Sequence, residues 1–328
     1  MILKTPIRIG SLTLQNRLVL PPMATEKSAG GAVSDELIRY YDEITRGGFL
    51  GLAITEHSFV RQEGKSSPNQ VSIASDDAIP GFRAIAETIH KNGVPVIAQI
   101  SHAGSAAREQ VTGFPPAAPS AVPHPNAKEP VVPREMTAAD IAQITDCFVQ
   151  AARRAMAAGF DGVEVHSAHG YLLDQFYSPL TNRRTDAYTG ATLAGRTRLH
   201  TEILRAVRSE IGPDAVLCLR WGASDYTDGG ASIEEVPEAA RIFAAAGLDL
   251  LSISGGMCGT GRPGHPEPGW FAELARAAKD AAGVPVLLTG GVTNAAEAET
   301  LLTAGDADLI GVGRAILRDP SLPGRMLA

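Results

Sequence analysis

Short apolar runs alternate with longer stretches of helical periodicity along the whole chain. The runs RLVL (17–20), LGLAIT (50–55), PVIAQI (95–100), GVEVH (162–166), AVLCLR (215–220), LDLLSIS (248–254), PVLLTG (285–290) and DLIGVG (308–313) are rich in Val, Ile and Leu, the composition of strands. Most are continuously apolar, as expected of parallel strands covered on both faces. Between them lie DELIRYYDEITRG, GFRAIAETIHKNG, AADIAQITDCFVQAARRAMAAG, RTRLHTEILRAVRSEIG, EEVPEAARIFAAAG, WFAELARAAKDAAG and AAEAETLLTAG. Their apolar residues recur at helical spacing, and most end in Gly, a common helix stop. Thr137 reads as the N-cap of the third of them. Eight strand–helix units predict an α/β fold, a single-domain (β/α)8 TIM barrel over residues 1–328. A doubly wound open sheet is the competing reading, but no GxGxxG follows the first strand.

Two segments break the rhythm. Residues 1–16 contain IRIGSLTLQN and read as a β-hairpin capping the bottom of the barrel. Residues 103–136, rich in Pro and Ala, form a long loop after the third strand. A loop of that length in a compact domain is usually functional or disordered, and its position places it at the C-terminal face, where barrel active sites lie.

Composition narrows the partners. The chain has 328 residues, 44% hydrophobic and 5% aromatic, and a formal net charge of −7. Without a run of Lys and Arg, neither nucleic acid nor an anionic membrane is expected as a main partner. No apolar stretch reaches membrane-spanning length, and the N-terminus has no signal-peptide core. Cys147, Cys218 and Cys258 are widely spaced, so no disulfide framework or metal cluster is expected, and a reducing cytoplasm fits.

The residues at the strand C-termini are the candidates for chemistry. In order these are Pro22, Met23 and Ala24; Glu56 and His57; Gln99 and His102; His166, His169 and Tyr171; Arg220; Ser254, Gly255 and Gly256; Gly290 and Gly291; and Gly313 and Arg314. The glycines after the seventh and eighth strands, with Arg314, stand where barrels build a phosphate site, although Gly there also simply permits a tight turn. Arg220 needs an anion, an electron-rich ring, or an ion pair with Glu164 or Asp225. His166 and His169 lack the third ligand of a catalytic zinc. They read either as satisfied loop residues or as two donors to one substrate oxygen, with Tyr171 as a nearby proton source.

The stretch HSAHGYLLDQFYSPLTNRRTDAYTG (166–190) closely resembles the signature of the old yellow enzyme family, the FMN-dependent ene-reductases and NADH:flavin oxidoreductases. The resemblance continues through IRIGSLTLQNRLVLPPM, AQISHAG, APSA, LRWGASDYTDGG and DLIGVGRAILRDP, so it covers the chain in order. It implies non-covalent FMN at the barrel mouth, reduced by NADPH or NADH, and a small-molecule activated alkene (enone, enal or nitroalkene) as substrate. By the same resemblance, Pro22, Met23 and Ala24 cover the flavin. Gln99 bonds its pyrimidine and Arg220 lies near N1 and O2. Gly290, Gly291, Gly313 and Arg314 hold the phosphate. His166 and His169 grip the substrate oxygen, and Tyr171 donates the proton. His57, Gly255 and Gly256 complete the expected cofactor contacts. Both monomers and homo-oligomers occur in such a family.

Three positions depart from the family pattern. Ala24 stands where Thr or Cys is usual, Glu26 replaces an aromatic or small residue, and Ser105 replaces the Arg of HAGR. The longer relatives carry a cysteine cluster and further domains, so no iron–sulfur cluster is expected here. The rival readings are a flavin-free barrel lyase or isomerase acting on a phosphorylated substrate, a non-catalytic flavin-binding protein, and a family member that dehydrogenates.

Overall fold

The computed structural model describes all residues from 1 to 328. The expected hairpin is formed by β1 (Ile7–Ile9) and β2 (Leu12–Leu14), antiparallel. The barrel strands follow as β3 (Leu18–Leu20), β4 (Leu52–Ile54), β6 (Val96–Ser101), β9 (Gly162–Ser167), β10 (Val216–Gly222), β11 (Leu250–Ser254), β12 (Val286–Thr289) and β13 (Leu309–Gly311). All neighbours are parallel. The order β4-β3-β13-β12-β11-β10-β9-β6 is closed by pairing of β6 with β4, giving the eight-stranded barrel read from the apolar runs. A two-residue strand, β5 (Ser58–Phe59), adds to the edge of β6.

The helices lie where periodicity placed them: α1 (Asp35–Thr45), α2 (Ile79–Lys91), α4 (Ala138–Ala157), α6 (Leu193–Ile211), α7 (Val236–Ala244), α8 (Ala272–Ala282) and α9 (Ala295–Thr303). On α4, Ile141, Ile144, Phe148, Ala151, Ala152 and Ala155 are buried, a single stripe at helical spacing. Its start is a capping box: Thr137 Oγ1 accepts from Asp140 N–H, and the Asp140 carboxylate accepts from Thr137 N–H at 2.7 Å. Four short helices were not legible as periodic runs: α3 (Glu109–Thr112), α5 (Leu172–Tyr177), α10 (Arg314–Arg318) and α11 (Leu322–Leu327).

Side chains two apart on a strand share a face, so alternate residues fill the barrel. Val19, Leu52, Ile54, Ile97, Val216, Cys218, Leu250, Leu287 and Leu309 form a compact interior cluster, and Ile9 and Leu14 of the hairpin close it from below. Two residues further along β6, β10, β11 and β12 come the polar Gln99, Arg220, Ser252 and Thr289, and β9 adds Glu164, all buried. The interior is thus an apolar plug at the bottom and a polar layer at the top.

The long loop after β6 contains α3 and a parallel pair, β7 (Ala117–Ala118) with β8 (Arg134–Glu135). It crosses the C-terminal face. His124 Nε2 meets Gly170 O at 3.1 Å, and Asn126 Nδ2 donates to Met257 O. No helix is long and apolar enough to cross a membrane.

Candidate active site

A cavity of about 570 Å³ opens at the C-terminal ends of the strands. Of the expected site residues, Pro22, Met23, Ala24, His57, Gln99, His166, His169, Tyr171, Arg220, Gly290, Gly291, Gly313 and Arg314 all line it. Gly255 and Gly256 do not. A Cβ on Gly255 would meet Gly259 O at 2.3 Å, and one on Gly256 would meet Asp225 Oδ1 at 2.5 Å. These two glycines let the loop after β11 pass close to its neighbours, so the structure places them behind the cavity wall and not on it. The long loop 103–136 also contributes no wall residue, and Ser105 lies on it.

Strand register sets the polar floor. Gln99 pairs with Glu164 across β6 and β9, His166 with Arg220 across β9 and β10, and Arg220 with Ser252 across β10 and β11. Gln99 Nε2 donates to Glu164 Oε1 at 2.7 Å, which orients the amide and leaves Oε1 as a free acceptor. Cys218 Sγ–H donates to the other Glu164 oxygen at 3.1 Å. Burial raises the Glu164 carboxyl above its usual range, against the pull of Arg220. Arg220 is itself buried, and its only bond is a 3.3 Å contact from Nη2 to Thr289 Oγ1. Its Nε and Nη1 have no partner. Glu164 and Asp225 form no ion pair with it. Asp225 is taken up by Ser178 Oγ–H and the Ala231 and Met257 N–H groups. A buried guanidinium left this way costs free energy until an electron-rich group meets it.

The wall above the floor is a ring cluster. His166 stands 5.3 Å from His169 and 5.0 Å from Tyr171, centroid to centroid. His166 Nδ1 is buried without a partner, and His169 Nε2 contacts Ser254 Oγ at 2.7 Å. Residue His169 has φ +59°, an uncommon conformation for a side-chain-bearing residue, and its N–H donates to Gly255 O at 3.1 Å. Burial, and then the neighbouring imidazole and guanidinium charges, hold His166 and His169 well below the usual histidine range, so both are neutral at pH 7. Burial raises the Tyr171 phenol, so it keeps its proton.

At the far end, Gly290, Gly291 and Gly313 allow close approach of the backbone. A Cβ on Gly291 would meet the Trp270 ring at 2.8 Å, and one on Gly313 would meet Met23 Sδ at 2.5 Å. Arg314 stacks over Trp270 at 4.8 Å and has no acidic partner. Trp270 was not among the expected residues. Its only sequence signal is that it is one of two tryptophans and opens the helical run after the sixth strand. Thr289 and Thr260 were also missed, since a lone Thr carries no such mark.

A family model described as the NADH:flavin oxidoreductase / NADH oxidase family matches residues 3–327. The chain is 38% identical over 323 residues to an NADH oxidase of Thermoanaerobacter brockii, covering 96% of this chain and 49% of that protein. The chain therefore spans about half the length of that relative. It is 36% identical to an NADPH dehydrogenase of Bacillus subtilis (strain 168), covering 96% of this chain and 91% of the relative. Among solved structures, an old yellow enzyme homologue from Zymomonas mobilis superposes with a TM-score of 0.84 at 28% identity, over 98% of this chain and 91% of that one.

Proposed function

The chain belongs to the NADH:flavin oxidoreductase / NADH oxidase family, whose solved relatives include old yellow enzyme homologues; from that membership we propose an FMN-dependent oxidoreductase that uses NADH or NADPH to reduce the activated C=C bond of an enone, enal or nitroalkene. The observation that carries this reading is the meeting, in one cavity, of a buried guanidinium with two nitrogens left without a partner, Arg220 Nε and Nη1, with His166, His169 and Tyr171.

The residues present fit FMN. Gln99 Oε1 would be free to accept from a ring N–H of the cofactor, and the Arg220 nitrogens without a partner would donate to its electron-rich atoms. Gly290, Gly291, Gly313 and Arg314 line the same cavity, and their backbone and guanidinium would hold a phosphate there. When bound, FMN supplies the hydride chemistry between nicotinamide and carbon. The protein residues do the rest. His166 and His169, both neutral, donate hydrogen bonds to the activating oxygen of the substrate and stabilise the charge that grows there. Tyr171 holds a proton at its phenol oxygen and delivers it to the carbon next to the activating group. Arg220 supports negative charge on the polar floor.

The test begins with colour. Purified protein should absorb at about 450 nm and bleach on NADPH addition, as a bound flavin does; a colourless protein refutes the reading. Tyr171→Phe removes the donor and keeps the ring. It should slow enone reduction by about 10²–10⁴-fold, with flavin reduction by NADPH little changed, each step followed by stopped flow.

A further inference from the structure

Three imidazoles face the cavity, not two. His57 follows β4, and its ring lies 6.4 Å from His166, tilted by 24°, and 5.6 Å from Tyr171. His169, His166 and His57 thus stand in a row, with Tyr171 against the last two.

The tautomer of His57 is set from behind. Ser66 donates to Gln70 Oε1 through its N–H at 2.7 Å and its hydroxyl at 3.0 Å. This fixes which end of the buried amide is oxygen, so Gln70 Nε2 is the donor. It reaches His57 Nδ1 at 2.6 Å. A neutral imidazole carries one N–H. With Nδ1 accepting, the hydrogen sits on Nε2, the atom on the opposite side of the ring from Gln70. The turn that presents Gln70 is held in turn by Glu26, whose carboxylate accepts from Ser67 Oγ and from Asn69 N–H at 3.2 Å. Glu26 has φ +58°, a conformation that costs free energy in a residue with a Cβ. Glu26, one of the three departures from the family pattern, thereby acts on His57 through Gln70.

His57 Nε2–H has no partner within the protein. His166 and His169 suffice for one oxygen, and the His57 donor lies one ring further along the row. His57 was expected among the cofactor contacts, but its ring stands against His166 and Tyr171; we propose that it donates Nε2–H to a second acceptor oxygen of the substrate, so that the site selects activated alkenes bearing two carbonyl-type oxygens over those bearing one, with Gln70 as the positioning residue. This rests on the ene-reductase reading above. Burial holds the imidazole below its usual range, ahead of the opposing pull of its own backbone and of Glu26. A neutral donor suits a ketone or ester oxygen better than it suits a carboxylate.

The test compares a cyclic ene-dione with the mono-enone of the same ring. In His57→Phe, the ratio of their kcat/KM values should fall about 3- to 10-fold from wild type, the effect of one neutral hydrogen bond, and His57→Gln should restore part of it. Long-range 1H–15N spectra of the holoenzyme should show His57 protonated at Nε2, and Gln70→Leu should mix the two tautomers. An unchanged ratio in His57→Phe, or a hydrogen on Nδ1 in wild type, overturns the proposal. If wild type reduces neither probe, the ene-reductase reading fails on its own. The role of His57 is then decided by the dissociation constants of phenol and 4-hydroxybenzaldehyde, whose ratio must respond to His57→Phe in the same way or the proposal falls.

Discussion

Glu56 stands one residue before His57 with its carboxyl buried, and it accepts from Thr25 N–H at 3.1 Å and Thr25 Oγ1–H at 2.8 Å. These bonds fix the loop that carries Pro22, Met23 and Ala24 to the cavity. Burial outweighs them and raises the carboxyl from 4.5 to about 7. The folded state therefore holds its proton more tightly than the unfolded chain does. Below about pH 4.5 both states are protonated and no penalty exists; between about 4.5 and 7 the unfolded chain ionises first and stability is lost. Glu56→Gln cannot ionise. Its unfolding free energy relative to wild type should rise between pH 5 and pH 8 by on the order of 2–3 kcal/mol, as a shift of this size implies. Urea denaturation at the two pH values checks it, and a pH-independent difference would show that Glu56 is not the titrating group.

At the scale of elements, the long loop returns to the barrel at α4. Arg134 of β8 grips Asp140 through two bonds, at 2.6 and 3.1 Å, and Asp140 closes the capping box with Thr137. The Arg134 guanidinium, against the opposing effect of burial, holds the Asp140 carboxyl well below its usual range. Thr137→Ala should cost about 1 kcal/mol of stability, the usual worth of an N-cap. It should leave ligand affinity at the cavity unchanged, because no residue of 103–136 lines it. A denaturant curve beside a ligand titration separates the two effects. The helices that sequence reading found share a long apolar stripe, as on α4. Those it missed are too short to show one. α5 has six residues, all buried, so tertiary packing and not periodicity makes it a helix.

Across the whole molecule, stability and chemistry are placed at opposite ends of one barrel. Ile9 and Leu14 of the hairpin complete the apolar plug at the bottom, while the polar layer and the ring cluster occupy the top. Ile9→Ala should lower the unfolding free energy by about 2–4 kcal/mol, the range for emptying a buried aliphatic site. Phenol affinity should stay within error of wild type. A loss of affinity equal to that of a cavity mutant would mean that the two ends are coupled.

The sequence by itself determined the barrel, since eight apolar runs spaced by amphipathic helices admit few other parallel arrangements. It also marked most of the cavity wall, because barrel chemistry collects at strand ends. The fate of Gly255 and Gly256 was not legible, since a glycine reads the same whether it frees room for a ligand or for another loop. Nor was the contact of Trp270 with Gly291 and Arg314, which joins residues from three separate loops. The tautomer of His57 depends on Ser66, Gln70 and Glu26, which reach it from two different loops. Periodicity along a chain reports which face of an element is buried. The direction of one hydrogen, and the partner left over for one guanidinium, depend on contacts between distant segments, and those exist only once the barrel has closed.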